Sequence, residues 1–151
     1  MTTFSNTDEI LDFAIQNEQD AADLYTDLAE RSSSPSVKAE FLQFAGEERG
    51  HKVKLEKVKT GRILLNADSK VQDLKIADYS VDVALGDQPD YQTVLLFAMK
   101  QEKAAFRLYS DLAAVAPDAE LKEILLGLAQ EEAKHKLRFE VEYDDNVLKE
   151  N

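Results

Sequence analysis

Four stretches of this chain carry apolar residues at alternating spacings of four and three, the stripe that an amphipathic helix turns toward a bundle core. The first stripe reads Leu11, Ile15, Glu18, Ala22, Tyr25, Ala29, and the second Val37, Phe41, Phe44, Glu48, His51, Leu55, Val58. The third reads Leu95, Met99, Glu102, Phe106, Tyr109, Ala113, and the fourth Leu121, Leu125, Leu128, Glu132, His135, Phe139. Every seam is interrupted near its middle by a glutamate, and the second and fourth by a histidine as well. The apolar residues of the seams, Met99 and the phenylalanines among them, are expected to serve packing.

Helix signals bound the four stretches. Asn6 with Glu9 makes a capping box that starts the first helix at Asn6 or Thr7, and the stripe carries it to about Arg31. Ser32-Ser33-Ser34-Pro35 supplies a turn, an N-cap and a proline for the first helical position. The second helix then runs to about Lys59 and stops before Gly61. The third and fourth helices are expected over roughly 90–115 and 117–143, the latter opening at Pro117, with about eight residues left beyond it. Between the pairs, Gly61, Asn66, Asp68, Gly86 and Pro89 break the pattern over about 60–89, with one short helix expected from Val71 to Tyr79. A connection of that reach suits an all-α, antiparallel four-helix bundle with a long crossover between helices 2 and 3, which makes residues 1–151 a single domain.

The two halves are copies. Residues 11–57 and 95–141, compared at an offset of 84, share 18 identities in 47 pairs. The repeated residues include Glu18/Glu102, Tyr25/Tyr109, Glu48/Glu132 and His51/His135, so both histidines of the chain close a Glu-x-x-His. Glu47 and Glu131 repeat too, but they lie off the seam, where a solvated role or one beside the ligands is expected rather than direct ligation.

Composition narrows the chemistry. A formal charge of −12 argues against nucleic acid and anionic membranes as partners, and suits the attraction of small cations. No apolar run approaches a membrane span and the N-terminus has no signal-peptide pattern, so a cytoplasmic location is expected. The absence of cysteine excludes disulfides, thiolate catalysis, iron–sulfur clusters and thiolate zinc sites.

Four inward glutamates in one layer demand compensation. Each unpaired buried carboxylate costs several kcal/mol, and four together rival the whole stability of a domain, about 5–15 kcal/mol. No lysine or arginine lies on a seam, and protonation alone leaves a self-repelling cluster. Two divalent cations would balance the charge, with the histidine nitrogens completing their shells, a donor set that favours iron or manganese. A single Glu-x-x-His is commonplace on a helix and seldom a ligand pair, and a metal-free helical interaction module is a further rival reading of the chain. Two of them, each with a seam glutamate about thirty residues upstream, point to Glu18, Glu48, His51, Glu102, Glu132 and His135 as metal ligands. Tyr25 and Tyr109, two turns beyond Glu18 and Glu102, are expected either to hydrogen-bond a ligand carboxylate or to fill the core.

The combined motif, Glu18-x6-Tyr25, Glu47-Glu48-x-x-His51, Glu102-x6-Tyr109 and Glu131-Glu132-x-x-His135, resembles the ferritin-like di-iron superfamily, closest to the erythrin-type domain of rubrerythrins. The resemblance implies a carboxylate-bridged pair of iron ions that reduces hydrogen peroxide or reacts with dioxygen while oxidising Fe(II). It makes Glu48 and Glu132 the bridging ligands and leaves Glu18 with His51, and Glu102 with His135, as terminal ones. Tyr25 and Tyr109 would orient carboxylates and donate protons or an electron. Departures refine the expectation. Without the cysteines of a rubredoxin domain, electrons are expected from a separate protein. Ala105, with Ala21 as its repeat mate, stands where rubrerythrins carry an additional glutamate, so a symmetric site of the bacterioferritin kind is expected. Arg49 replaces the haem-ligating methionine of bacterioferritin, and no fifth helix is expected, which argues against a haem-bearing cage. A homodimer is what the resemblance implies, and the rival function is iron binding or storage without turnover.

Overall fold

The computed structural model describes residues 3–61, 71–72, 74–81 and 85–150, with side chains to 147. Four α-helices carry the chain: α1 Thr7–Arg31, α2 Pro35–Thr60, α3 Tyr91–Val115 and α4 Ala119–Glu150. Their starts follow the local chemistry. Asn6 accepts from the Glu9 amide at 2.9 Å, Ser34 from Val37 with Pro35 in the first turn, Asp90 from Thr93 at 2.7 Å, and Asp118 from Leu121 at 2.8 Å. Pro117 therefore precedes the cap of α4 instead of opening the helix. Gly61 ends α2 in right-handed geometry, so its value there is not a left-handed turn; that role belongs to Gly86, whose φ is 78°.

Helix direction follows from which ends share apolar partners. One core cluster gathers Ile10 and Leu11 from the start of α1, Leu55 and Val58 from the end of α2, Leu112 from the end of α3 and Leu121 from the start of α4. The other gathers Leu28 and Phe41 from the α1–α2 turn end, Val94 and Leu95 from the start of α3, and Phe139 from α4. Hence α1 and α4 run one way and α2 and α3 the other. The protein is an all-α four-helix bundle in which α1 packs on α2, α3 on α4, and α1 on α3. Because α2 ends at one pole and α3 begins at the other, the link between them has to return along the bundle, roughly 37 Å for the 25 residues of α3.

Within the crossover, Ile76–Tyr79 form a 3-10 turn, shorter than the helix expected from Val71 to Tyr79. Asn66 and Asp68 lie outside the described residues. Tyr79 anchors this stretch to α3 by donating to Asp111 at 2.7 Å, and its ring lies 6.3 Å from Phe4. Thr3 and Lys75 form an isolated antiparallel bridge that holds the N-terminal segment against the crossover.

Two further expectations are corrected. The fourth helix continues to Glu150, seven residues past 143, because no glycine or proline interrupts it. Phe106 is 42% exposed rather than inward. Val94, Ala98, Leu108 and Leu112 carry the buried face of α3 round to one side of the stripe, which leaves Phe106 on the opposite rim. No described helix is long and apolar enough to cross a membrane.

Candidate metal centre

The polar layer lies between the two apolar clusters, one glutamate from each helix and one histidine from each of α2 and α4. Glu48 with His51, and Glu132 with His135, are three residues apart and so project from one helix face. All six side chains are buried. The geometry divides them into two groups whose ligand atoms lie within 4.8 Å of one another: Glu18, Glu48, His51 and Glu132, and Glu48, Glu102, Glu132 and His135. Glu48 and Glu132 belong to both. His51 Nδ1 stands 2.8 Å from Glu132 and 3.5 Å from Glu18, and His135 Nδ1 stands 2.9 Å from Glu48 and 3.7 Å from Glu102.

These approaches lack hydrogen-bond geometry. Both oxygens of Glu48 and of Glu102, one each of Glu18 and Glu132, and both Nδ1 atoms are buried without a hydrogen-bond partner among the described residues. Among the described ion pairs of the four carboxylates, every cationic partner is a histidine. Unsatisfied acceptors and imidazole nitrogens at such closeness would be strongly destabilising by themselves. They are the donor set that two divalent cations satisfy, each held by carboxylate oxygens and one imidazole. Geometry and chemistry therefore fit a pair of metals.

Without metal the layer must hold protons. Burial, reinforced by Glu48, pushes Glu18 up to about 8, and burial with the charge of Glu132 pushes Glu48 up to about 7. Burial also raises Glu102 and Glu132. Burial alone would lower the histidines, but Glu132 and Glu18 outweigh it and push His51 up to about 12, while Glu102 and Glu48 push His135 up to about 11.

The outward nitrogens are held crosswise. His51 Nε2 of α2 meets Glu131 of α4, and His135 Nε2 of α4 lies 2.7 Å from Glu47 of α2. The two carboxylates, 44% and 39% exposed, stand at the bundle surface. Burial pushes Glu131 up, yet the hydrogen bond and charge of His51 hold it below the ordinary carboxylate range. Off-seam positions read from the repeat are thus the partners that orient each imidazole with Nδ1 inward.

The tyrosines differ. The Tyr109 hydroxyl donates to Glu18 across the bundle, and burial with the charge of Glu18 raises its pKa. Tyr25, equally buried, has no hydrogen-bond partner for its hydroxyl among the described residues; its ring packs 4.8 Å from Phe139 and edge-on to His135 at 6.2 Å. The expected symmetric pairing therefore holds for Tyr109 alone, because packing against Phe139 and His135 keeps the Tyr25 hydroxyl off the carboxylates. Sequence reasoning also missed Gln101, whose Oε1 is buried and unpartnered beside Glu102. Its signal was the repeat itself, which pairs it with Asn17 beside Glu18.

A family model described as Rubrerythrin matches residues 9–143. The comparisons with curated proteins and with solved structures each returned no match.

Proposed function

The chain belongs to the rubrerythrin family, and from that premise we propose that it is a di-iron oxidoreductase acting on hydrogen peroxide or dioxygen, with Fe(II) as reductant or substrate. The observation that carries the reading is the sharing of Glu48 and Glu132 between two groups of buried, unpartnered ligand atoms. In this reading those two residues would be shared by both metals, and Glu18 with His51 and Glu102 with His135 would hold one metal each. An iron pair held by these residues would supply Lewis-acid polarisation of the O–O bond and two electrons, so no protein nucleophile would be required. The chain's own groups set the conditions. Apolar clusters above and below the layer lower the local dielectric and strengthen its electrostatics. Tyr109 fixes Glu18, and Glu47 and Glu131 fix the imidazoles. Electrons for repeated turnover come from a separate donor.

Anaerobic loading with Fe(II), followed by stopped-flow mixing with hydrogen peroxide or dioxygen, tests the proposal. Rapid oxidation of two irons per chain is expected. A protein-bound centre that oxidises no faster than free ferrous iron would sink the enzymatic reading, and uptake of many more irons than two would make storage the function instead. Glu48→Ala and Glu132→Ala should each lose metal from both positions, and full metal content in both variants would remove the ligand assignment.

A further inference from the structure

Beside the carboxylate layer lies a pocket of about 200 Å³, bounded by α1, α3 and the Tyr79–Val81 stretch of the crossover. A water molecule needs only about 10–15 Å³ of such volume, and hydrogen peroxide is scarcely larger. The pocket is thus far roomier than its smallest candidate substrate requires. Phe13 with Phe97, and Ala21 with Ala105, supply an apolar wall, each pair related by the 84-residue repeat. The two alanines matter most, since any larger side chain at either would take up the space.

The polar groups around this wall define what fits. Among the described residues no lysine or arginine lines the pocket, and Glu18, Glu48, Glu102 and Glu132 edge it, so an anionic ligand would meet repulsion from these carboxylates. Tyr25 lines it with a fully buried, unpartnered hydroxyl, a donor. Gln101 lines it with a buried, unpartnered Oε1, an acceptor. A neutral molecule with a short apolar body and one end that both donates and accepts would satisfy both groups and the wall.

Building on the peroxide reading above, we propose that this pocket admits short-chain alkyl hydroperoxides. The alkyl group lies against Phe13, Phe97, Ala21 and Ala105. The terminal hydroxyl donates to Gln101 Oε1, and a peroxidic oxygen accepts from the Tyr25 hydroxyl. The balanced change is ROOH + 2 Fe(II) + 2 H⁺ → ROH + H₂O + 2 Fe(III): the O–O bond breaks, two ferrous ions are oxidised, and the protons leave as alcohol and water.

The test uses the full chain and two probes. Ferrous protein is mixed in a stopped-flow instrument with tert-butyl hydroperoxide and, separately, with hydrogen peroxide. Zn(II)-loaded protein, which is redox-silent, is titrated with tert-butanol and followed by NMR. Wild type should be oxidised by both peroxides, and tert-butanol should give saturable shifts confined to α1 and α3 around the pocket. Ala105→Leu should lower the ratio of the tert-butyl to the hydrogen peroxide rate by at least about tenfold, as a pocket filled by extra methyl groups does, and abolish the saturable shifts. Gln101→Leu, a milder change at a half-buried position, should weaken the tert-butanol shifts by about tenfold, the scale of a lost hydrogen-bond partner. Oxidation by hydrogen peroxide with none by tert-butyl hydroperoxide would overturn the pocket assignment and leave the peroxide reading standing. Oxidation by neither, with saturable tert-butanol binding intact, would overturn the peroxide reading itself and the hydroperoxide assignment with it. Unsaturable tert-butanol shifts would overturn the binding site.

Discussion

At the scale of single residues, the crossed contacts of Glu47 and Glu131 make a specific claim. Each is adjacent in sequence to the glutamate of its own helix that both candidate ligand groups share, yet each touches the histidine of the other helix. Glu47→Gln should therefore disturb the metal held by His135, and Glu131→Gln the one held by His51. An outer carboxylate that orients a ligand imidazole is commonly worth about 10–100-fold in metal affinity, so each variant should weaken one of two binding steps by that order. Titration with Co(II), whose absorption reports coordination, resolves the steps. Equal weakening of both steps by one substitution would mean that the crossed pairing does not set the individual sites. The unequal tyrosines belong to this scale too: Tyr109 is committed to Glu18, while Tyr25 is left for whatever occupies the pocket.

At the scale of elements, the helices carry glycines that their packing does not require. A Cβ at Gly46 of α2 or Gly127 of α4 would meet nothing within 4 Å. Both have ordinary helical conformations, and glycine in a helix interior costs about 0.5–1 kcal/mol relative to alanine. Gly46→Ala and Gly127→Ala should each stabilise the metal-free protein by that amount, read as a higher denaturant midpoint with unchanged m-value. A loss of stability would show that these surfaces are packed in solution against something else. Gly86 is the contrast, because its φ of 78° makes any side chain there strained.

At the scale of the whole molecule, the buried layer links stability to pH and metal. Glu18 and Glu48 have folded pKa values raised from 4.5 to about 8 and about 7. Their contribution is complete below pH 4.5 and is lost as pH rises through those folded values. His51 and His135, raised from 6.5 to about 12 and 11, likewise lose theirs only as pH rises above 6.5. All four run in one direction, so the metal-free protein should lose thermal stability between pH 5 and pH 8, by about 5 °C or more. Metal binding displaces those protons, so the metal-loaded protein should show a shallower or opposite trend and release protons on loading. Thermal melts at matched ionic strength check this, and a metal-free melt that rises with pH would refute the protonated layer. The four helices, the caps at Asn6 and Ser34 and the inward placement of six polar side chains were legible in the chain, because helical periodicity and burial act on neighbours three and four residues apart, and an internal repeat displays one solution twice. The exposure of Phe106 was not, since the rim of a buried face depends on which helix lies alongside. The duplicated sequence by itself determined that four carboxylates and two histidines turn inward at one level of a bundle. Only the tertiary structure decided that Glu47 and Glu131 grip the opposite histidines, that the repeat is broken at Tyr25, and that a pocket lies under the crossover. Those are contacts between residues about eighty apart or across a non-repeated segment, and no local spacing encodes them.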